Sequence, residues 1–224
     1  MEVQTKIMPL SEFNSIDEKI NLFSSLPYKK SPYRSRNWGH QWHSLCSYPS
    51  KLKPSIAYHL VEYFTKSGDI ILDPFSGVGT IPFEACLNGR IGVGIALNPL
   101  AFHATNAKVS APAKEEVIKD FNNLELAIAA KREFKETAPD EIKAFYHPET
   151  MAEILKARYY LLNEFKNDPR PSISFLMVNI AHILHGNRPY ALSRRSHNII
   201  PIPPKGEFEY KSLVDHTKER IIRY

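Results

Sequence analysis

The chain has 224 residues, of which 43% are hydrophobic, with a formal net charge of +5 and a pI near 9.1. That hydrophobic fraction can build the core of one domain or slightly more, which excludes a disordered, low-complexity chain. Two cysteines, Cys46 and Cys86, are too few for a disulfide framework, and we expect a reducing, cytoplasmic setting. No signal peptide or membrane-length apolar run is visible, so we expect no membrane partner.

The first 50 residues predict a short amphipathic helix over 12–25 and then a proline-containing arm. From Tyr28 to Trp38 the arm is basic and aromatic and has no acidic residue. Such a stretch is typical of surfaces that bind phosphates and stack on bases, the alternative being a solvated loop. The residues that we expect to contact phosphates are Lys29, Lys30, Arg34 and Arg36.

The most informative segment runs from Ile70 to Thr80. Its apolar start predicts a short buried strand over 69–73, and a helix is predicted from Ile81. Between them stands Gly77-Val78-Gly79, and glycine lets the backbone pass close to a ligand because it has no Cβ and accepts positive φ. Strand, glycine turn and helix form the first unit of a Rossmann-like sheet with a cofactor at the carboxyl end of the strand.

Two further elements flank this segment. Upstream, Tyr48-Pro49-Ser50-Lys51-Leu52-Lys53-Pro54 precedes a helix predicted over 54–66. Downstream, a second strand is predicted over 91–95, followed by Asn98-Pro99-Leu100-Ala101. This last run predicts a helix with Asn98 as the N-cap and proline in the first turn.

Together these elements resemble DNA amino-methyltransferases over residues 38–112. Asp-Pro-Phe-x-Gly-x-Gly-Thr, Tyr-Pro-x-Lys-x-x-Pro and Asn-Pro-Leu-Ala occur in that family in the same order and at the same spacing. The family methylates cytosine N4 or adenine N6 with S-adenosylmethionine. The resemblance therefore implies an α/β chain with a partial Rossmann-like, S-adenosylmethionine-dependent methyltransferase fold and a largely helical C-terminal half. It implies S-adenosylmethionine as the cofactor and DNA as a partner.

The same resemblance implies a set of cofactor-binding residues. It directs Asp73 toward the methionine ammonium, 75–79 along the cofactor, and 48–53 toward its carboxylate end. The implied cofactor residues are Tyr48, Ser50, Lys51, Lys53, Asp73, Phe75, Ser76, Gly77, Gly79, Thr80 and Asn98.

Two departures from the family stand out. The second strand of the family ends in an acid that accepts hydrogen bonds from the ribose, whereas this chain has Ala96, and Asn98 is the neighbour that can replace part of that role. The catalytic Asp/Asn/Ser-Pro-Pro-Tyr/Phe string is absent from all 224 residues. Asn187-Arg188-Pro189-Tyr190 is similar but has arginine in place of the first proline, so we assign no catalytic residue.

The C-terminal half predicts helices over 114–136, 148–166, 172–185 and 208–223, whose apolar stripes we expect in the core. A second basic cluster over 185–197 contributes Arg188, Arg194 and Arg195 as expected nucleic-acid contacts. Only two strands are predicted, and two strands do not form a stable sheet by themselves. We therefore expect a truncated or split enzyme, completed by a second chain or by a missing C-terminal segment.

The predicted organisation is an N-terminal helix and arm (1–50), a cofactor-binding part (51–112) and a helical region (113–224). Two alternatives stay open: an RNA methyltransferase, because RNA N2-guanine enzymes share the glycine loop, and a non-catalytic nucleic-acid-binding relic. His40, His43 and Cys46 are spaced three apart, but no second pair of ligands follows, so we assign no metal site.

Overall fold

The structure, a computed structural model, describes residues 15–130, 136–164, 170–197 and 202–224. The chain divides into two compact units, 1–109 and 110–224. Parts of three predicted helices, at 12–14, 131–135 and 165–166, lie outside the described residues.

Unit 1 places helices on a small parallel sheet. Its elements are α1 (Ile16–Ser25), α2 (Pro54–Phe64), β1 (Ile70–Asp73), α3 (Thr80–Leu87), β2 (Ile91–Gly94) and α4 (Pro99–Val109), with 3-10 turns at Pro27–Lys29 and Gln41–Ser44. The strands pair in parallel, with Ile70 opposite Ile91 and Asp73 opposite Gly94, and α3 connects them. The α/β class and both predicted strands are confirmed.

One face of this sheet lies against helix α3. Gly92 faces that helix so closely that a Cβ at this position would lie 2.1 Å from the carbonyl oxygen of Pro82. Glycine is therefore required there for the helix to pack on the strand.

The other face of the sheet is open. Its side chains are Ile70, Leu72, Ile91, Val93 and Ile95, which are between 40% and 70% exposed. The prediction of a buried strand over 69–73 is thus wrong: exposed and half-buried residues alternate along β1, and none of them is buried. The apolar run in the sequence suits a strand covered on both faces, but among the described residues helices cover only one.

Unit 2 is helical in its described part, apart from an isolated antiparallel bridge between Arg195 and Lys205. Its helices are α5 (Lys114–Ala129), α6 (Asp140–Lys143), α7 (Pro148–Glu164), α8 (Pro171–Leu184) and α9 (Leu213–Ile222). The predicted core stripes are largely confirmed, with the following side chains buried: Val117, Phe121, Leu124, Ile128, Met151, Leu161, Ile173, Leu176 and Ile180. Leu162, by contrast, is 42% exposed.

The last helix begins at Leu213, five residues later than predicted. Lys211 is held against α7 by two hydrogen bonds with Thr150: its amide donates to Oγ1 at 3.0 Å, and its carbonyl accepts from Oγ1 at 2.8 Å. Ser212 then caps α9, because its Oγ accepts from the amide of Asp215 at 3.2 Å. In the described ranges, no helix is long and apolar enough to cross a membrane.

Candidate functional site

The glycine turn between β1 and α3 is fixed by hydrogen bonds at both ends. Asp73 Oδ1 accepts from the amide of Phe75 at 3.0 Å, a local turn that aspartate favours. The amide and the hydroxyl of Ser76 both donate to the carbonyl of Ile95, at 3.1 and 3.2 Å. The turn is therefore tied to the chain that leaves β2.

Two side chains of helix α4 donate hydrogen bonds to carbonyl groups of the turn. Thr105 Oγ1 donates to the Gly77 carbonyl at 3.2 Å, and Lys108 Nζ donates to the Val78 carbonyl at 2.6 Å. Gly79 has φ +70°, and a Cβ there would lie 2.6 Å from Thr105 Oγ1. Both the backbone conformation and the lack of space thus require glycine at position 79.

Lys108 was not identified from the sequence. Its side chain is fully buried, and burial lowers its pKa from 10.5 to about 7, with a further contribution from the nearby charge of Lys51. One signal was available: Ala101, Ala104, Thr105 and Lys108 share one stripe of α4 at helical spacing. A lysine on a stripe of small residues indicates a buried ammonium with a specific partner.

The buried ammonium predicts a pH-dependent stability of unit 1. The folded-state pKa of Lys108 lies below its ordinary value of 10.5, because the buried amine is harder to protonate in the folded chain than in the unfolded chain. The resulting loss of stability is absent above pH 10.5, grows as the pH falls, and is complete below about pH 7. We expect the free energy of unfolding to rise by about 2 kcal/mol between about pH 7 and pH 9 through this group. Urea unfolding at several pH values, followed by fluorescence, would measure it, since Trp38 and Trp42 are the two tryptophans of the chain.

The matched comparison is Lys108→Met against Lys66→Met, since Lys66 is exposed. The pH-dependent rise should shrink in Lys108→Met and persist in Lys66→Met. An identical pH profile in Lys108→Met and the wild type would show that Lys108 is not the titrating group.

The upstream segment meets the turn through Tyr48. A Cβ on Gly77 would lie 3.7 Å from Tyr48 Cε1, so the two motifs are neighbours in the structure. The ammonium groups that were expected near the cofactor bind backbone: Lys51 Nζ donates to the His43 carbonyl at 2.6 Å and Lys53 Nζ to the Tyr28 carbonyl at 2.7 Å. Ser50, directly before Lys51, has φ +55°, a left-handed conformation that is uncommon for a residue other than glycine.

A buried histidine–glutamate pair holds the 3-10 turn at Gln41–Ser44 on α3. His43 Nε2 lies 2.6 Å from Glu84 Oε1, and both side chains are buried. Burial lowers the pKa of His43, although Glu84 acts in the opposite direction. The sequence pointed to His43 only as a possible metal ligand, because no local pattern links residues 41 positions apart.

The remaining predicted cofactor residues are Phe75 and Thr80, at the turn, and Asn98, at the start of α4. Phe75 is 91% exposed, and Thr80 is buried at the start of α3. Asn98 Oδ1 accepts from the amide of Leu100 at 2.9 Å, which confirms its capping role. Ala96 is half-buried and lies just beyond β2, where it offers no side-chain acceptor.

In the N-terminal arm, the charged and aromatic side chains separate. The Tyr33 ring lies 4.5 Å from that of His59, and the Trp38 ring lies 5.1 Å from that of Tyr58, so both pack on α2. The basic residues are exposed: Lys29, Lys30, Arg34 and Arg36. The arm thus presents charge to solvent, while its aromatic rings are engaged in packing.

Unit 2 contains an open cavity of about 920 Å³ beside the second basic cluster. Its lining includes Asn187, Arg188 and Arg195. Arg194 is held by its own unit: its Nε donates to the Gly206 carbonyl at 2.9 Å, and its guanidinium stacks on Phe208 at 4.3 Å.

Comparison with known families identifies a methyltransferase domain in this chain. A family model described as RMKL-like, methyltransferase domain matches residues 41–156, slightly more than half of the chain. The matched range includes the Tyr48 segment, the glycine turn and α4. Neither the curated proteins nor the solved structures give a match. The chain therefore belongs to the RMKL-like methyltransferase domain family.

Proposed function

We propose that this chain is the cofactor-binding part of an S-adenosylmethionine-dependent methyltransferase, with a partial Rossmann-like fold, that acts on amino groups of DNA bases. The observation that carries the proposal is the turn from Asp73 to Gly79, held between β2 and α4 at the carboxyl end of a parallel strand. Ligands of open parallel sheets bind at this position. The membership of a methyltransferase family supports it.

Each part of the turn has a role in this proposal. The Asp73 oxygen that does not accept from Phe75 is the acceptor for the methionine ammonium. Gly77 lets the backbone approach the cofactor, Gly79 lets the turn pack on Thr105 of α4, and Tyr48 closes the side next to Gly77. When bound, S-adenosylmethionine supplies an electrophilic methyl group, and the turn fixes the position of that group. Such positioning contributes a large part of the rate enhancement of a transfer reaction.

In this proposal, the residues that hold the methyl acceptor, the amino group of the target base, do not come from these 224 residues. The family to which the motifs point holds the amino group of a flipped base with a polar-Pro-Pro-aromatic string, and these 224 residues contain none. We infer that another polypeptide segment supplies it. Flipping the base costs a few kcal/mol, and the contacts that repay this cost would come from that segment and from the basic residues.

Isothermal titration calorimetry with S-adenosylmethionine tests the proposed cofactor site. We expect binding to the wild type, and affinity weaker by roughly tenfold to a hundredfold for Asp73→Ala, since a charge-assisted hydrogen bond is worth about 1.5–3 kcal/mol. Asp140→Ala is the control, because that side chain is 94% exposed in unit 2. Equal affinity of Asp73→Ala and the wild type would contradict the proposed site.

The basic residues predict a salt-dependent interaction with duplex DNA. Replacing Arg188 or Arg195 with alanine should lower the slope of log affinity against log salt by roughly one each. Arg194→Ala should leave the slope unchanged, because its guanidinium binds Gly206 and Phe208. Fluorescence anisotropy with duplex DNA, and with RNA of the same sequence, would measure this. Tighter binding to RNA would favour an RNA methyltransferase instead.

A further inference from the structure

The open cavity of unit 2 has no role in the proposed cofactor site. Its volume of about 920 Å³ is that of a small-molecule site, for which about 300–1,000 Å³ is usual, and exceeds what a lone inorganic anion needs. Two carboxylates line it, whereas five of its lining side chains are cationic: Arg188, Arg194, Arg195, Lys205 and Lys211. The lining therefore favours an anionic ligand of the size of a small organic molecule.

Two of these cationic side chains stand directly opposite each other. Arg195 and Lys205 are partners in an isolated antiparallel bridge, in which the Lys205 amide donates to the Arg195 carbonyl at 3.0 Å. Side chains of such partners leave the backbone on the same side, and like charges there destabilise the pairing. Neither side chain forms an ion pair with a carboxylate of the described residues. An anion placed between them would turn this repulsion into attraction.

The backbone on both sides of the bridge is held by other contacts. The Nε of Arg194 donates to the Gly206 carbonyl at 2.9 Å. The Oγ of Ser196 donates to the Ile202 carbonyl at 2.8 Å. Since these bonds join the residues next to the bridge, the chain itself brings the two like charges together, without help from either charged group.

The cavity offers further hydrogen-bond donors. The Nδ1 of His147 accepts from the amide of Glu149 at 3.3 Å, so Nε2 carries the proton of the neutral ring. Ser193 is buried, and its Oγ accepts from the amide of Gly186 at 3.3 Å; its own proton finds no acceptor among the described residues. A phosphate group, which has several strong acceptor oxygens, matches this set of N–H and O–H donors.

The rest of the lining suits a nucleotide better than an acidic peptide. Leu192, Ile202 and Pro203 provide apolar surface for a base and a sugar. Glu207 and Glu209 also line the cavity, and carboxylates accept hydrogen bonds from base amino groups while repelling a peptide with several acidic residues. Because a paired base is stacked inside the duplex, only an unpaired nucleotide can enter a cavity of this kind.

We propose that the cavity of unit 2 binds an unpaired nucleotide of a DNA strand, with the phosphate of that nucleotide between Arg195 and Lys205. This inference rests on the proposed function for its nucleic-acid partner, but not on the cofactor site. Arg188, which forms no ion pair in the described ranges, is then the contact for an adjacent phosphate. The open side of the cavity lets the strand continue in both directions.

The probe is a fluorescein-labelled DNA single strand of roughly eight nucleotides, a length typical of single-strand sites. Fluorescence anisotropy with the full chain measures its affinity, and the same sequence closed into a hairpin duplex is the comparison. Lys205→Met should weaken binding of the single strand by roughly tenfold or more, as the loss of a charge-assisted contact does. It should weaken binding of the duplex by less than about threefold.

Three further variants make this result specific. Lys205→Arg keeps the charge and should bind the single strand as the wild type does, whereas Arg195→Gln should lose as much affinity as Lys205→Met. Lys218→Met is the matched control, because Lys218 is exposed on α9 and does not line the cavity. By circular dichroism, Lys205→Met should melt at or above the temperature of the wild type, since one of two opposed like charges is removed.

Competition experiments identify the chemistry of the ligand. A deoxynucleoside monophosphate should displace the single strand at lower concentration than the deoxynucleoside or inorganic phosphate. Equal displacement by inorganic phosphate would overturn the inference, as would an equal loss of single-strand and duplex affinity in Lys205→Met. Tighter binding of an acidic phosphopeptide than of the single strand would assign the cavity to a protein partner and also overturn it.

The same measurements separate this inference from the proposed function. A chain that binds S-adenosylmethionine and duplex DNA, but whose single-strand affinity is unchanged by Lys205→Met, would overturn the inference alone. A chain that binds the single strand through Lys205 but does not bind S-adenosylmethionine would overturn the proposed function and leave the inference supported.

Discussion

Gly92→Ala should destabilise unit 1 by more than about 3 kcal/mol, because overpacking against rigid backbone is among the most costly single changes. The new Cβ would lie 2.1 Å from the carbonyl oxygen of Pro82, and the Pro82 Cα would be 2.7 Å away. These atoms belong to helix α3, so no flexible side chain can move aside. The helix must shift, and Thr80 and the glycine turn at its start shift with it.

Urea unfolding followed by tryptophan fluorescence would measure this loss, and calorimetry should show that cofactor affinity falls as well. Val93→Ala is the control, because Val93 follows Gly92 in the same strand. Its side chain lies on the open face of the sheet and is 40% exposed. Its effect should stay below about 1 kcal/mol. Similar stabilities of Gly92→Ala and the wild type would mean that α3 does not pack on β2 as described.

The purified chain should transfer no methyl group to DNA. Its sequence lacks the string that holds the target amino group, and in the described ranges the sheet has only two strands, with no third strand to position such a string. The assay is transfer of labelled methyl from S-adenosylmethionine to mixed-sequence DNA, with the chain alone and with an intact DNA amino-methyltransferase as the positive control. We expect activity at the level of a reaction without protein for the chain alone.

Robust transfer by the chain alone would contradict the split or truncated interpretation. It would direct attention to Asn187, which is exposed beside the cavity of unit 2. Asn187→Ala would then decide whether this amide replaces the missing string.

Local patterns in the sequence predicted most of the glycine turn and the elements beside it. Both strands, the glycine turn and the Asn98 cap depend on residues within a few positions of each other, and the sequence displays such short-range chemistry directly. The start of α9 was misplaced because Thr150, 61 positions away from Lys211, fixes the chain before it. A tertiary contact of this kind overrides local helix propensity.

The supporting side chains of the site were harder to predict for the same reason. The partner of His43 is Glu84, and the partner of Lys108 is a backbone carbonyl at Val78. Neither pairing leaves a local signature. The open face was missed because an apolar run indicates that a strand is suited to burial, and not that a covering layer is present.

Hydrogen exchange with and without S-adenosylmethionine tests the central claim most directly, because it locates the cofactor on the chain. We expect slower exchange at 73–80, at 48–53 and around Asn98, with no change at 185–197. Protection confined to unit 2, or none at saturating cofactor, would contradict a cofactor site at the end of β1.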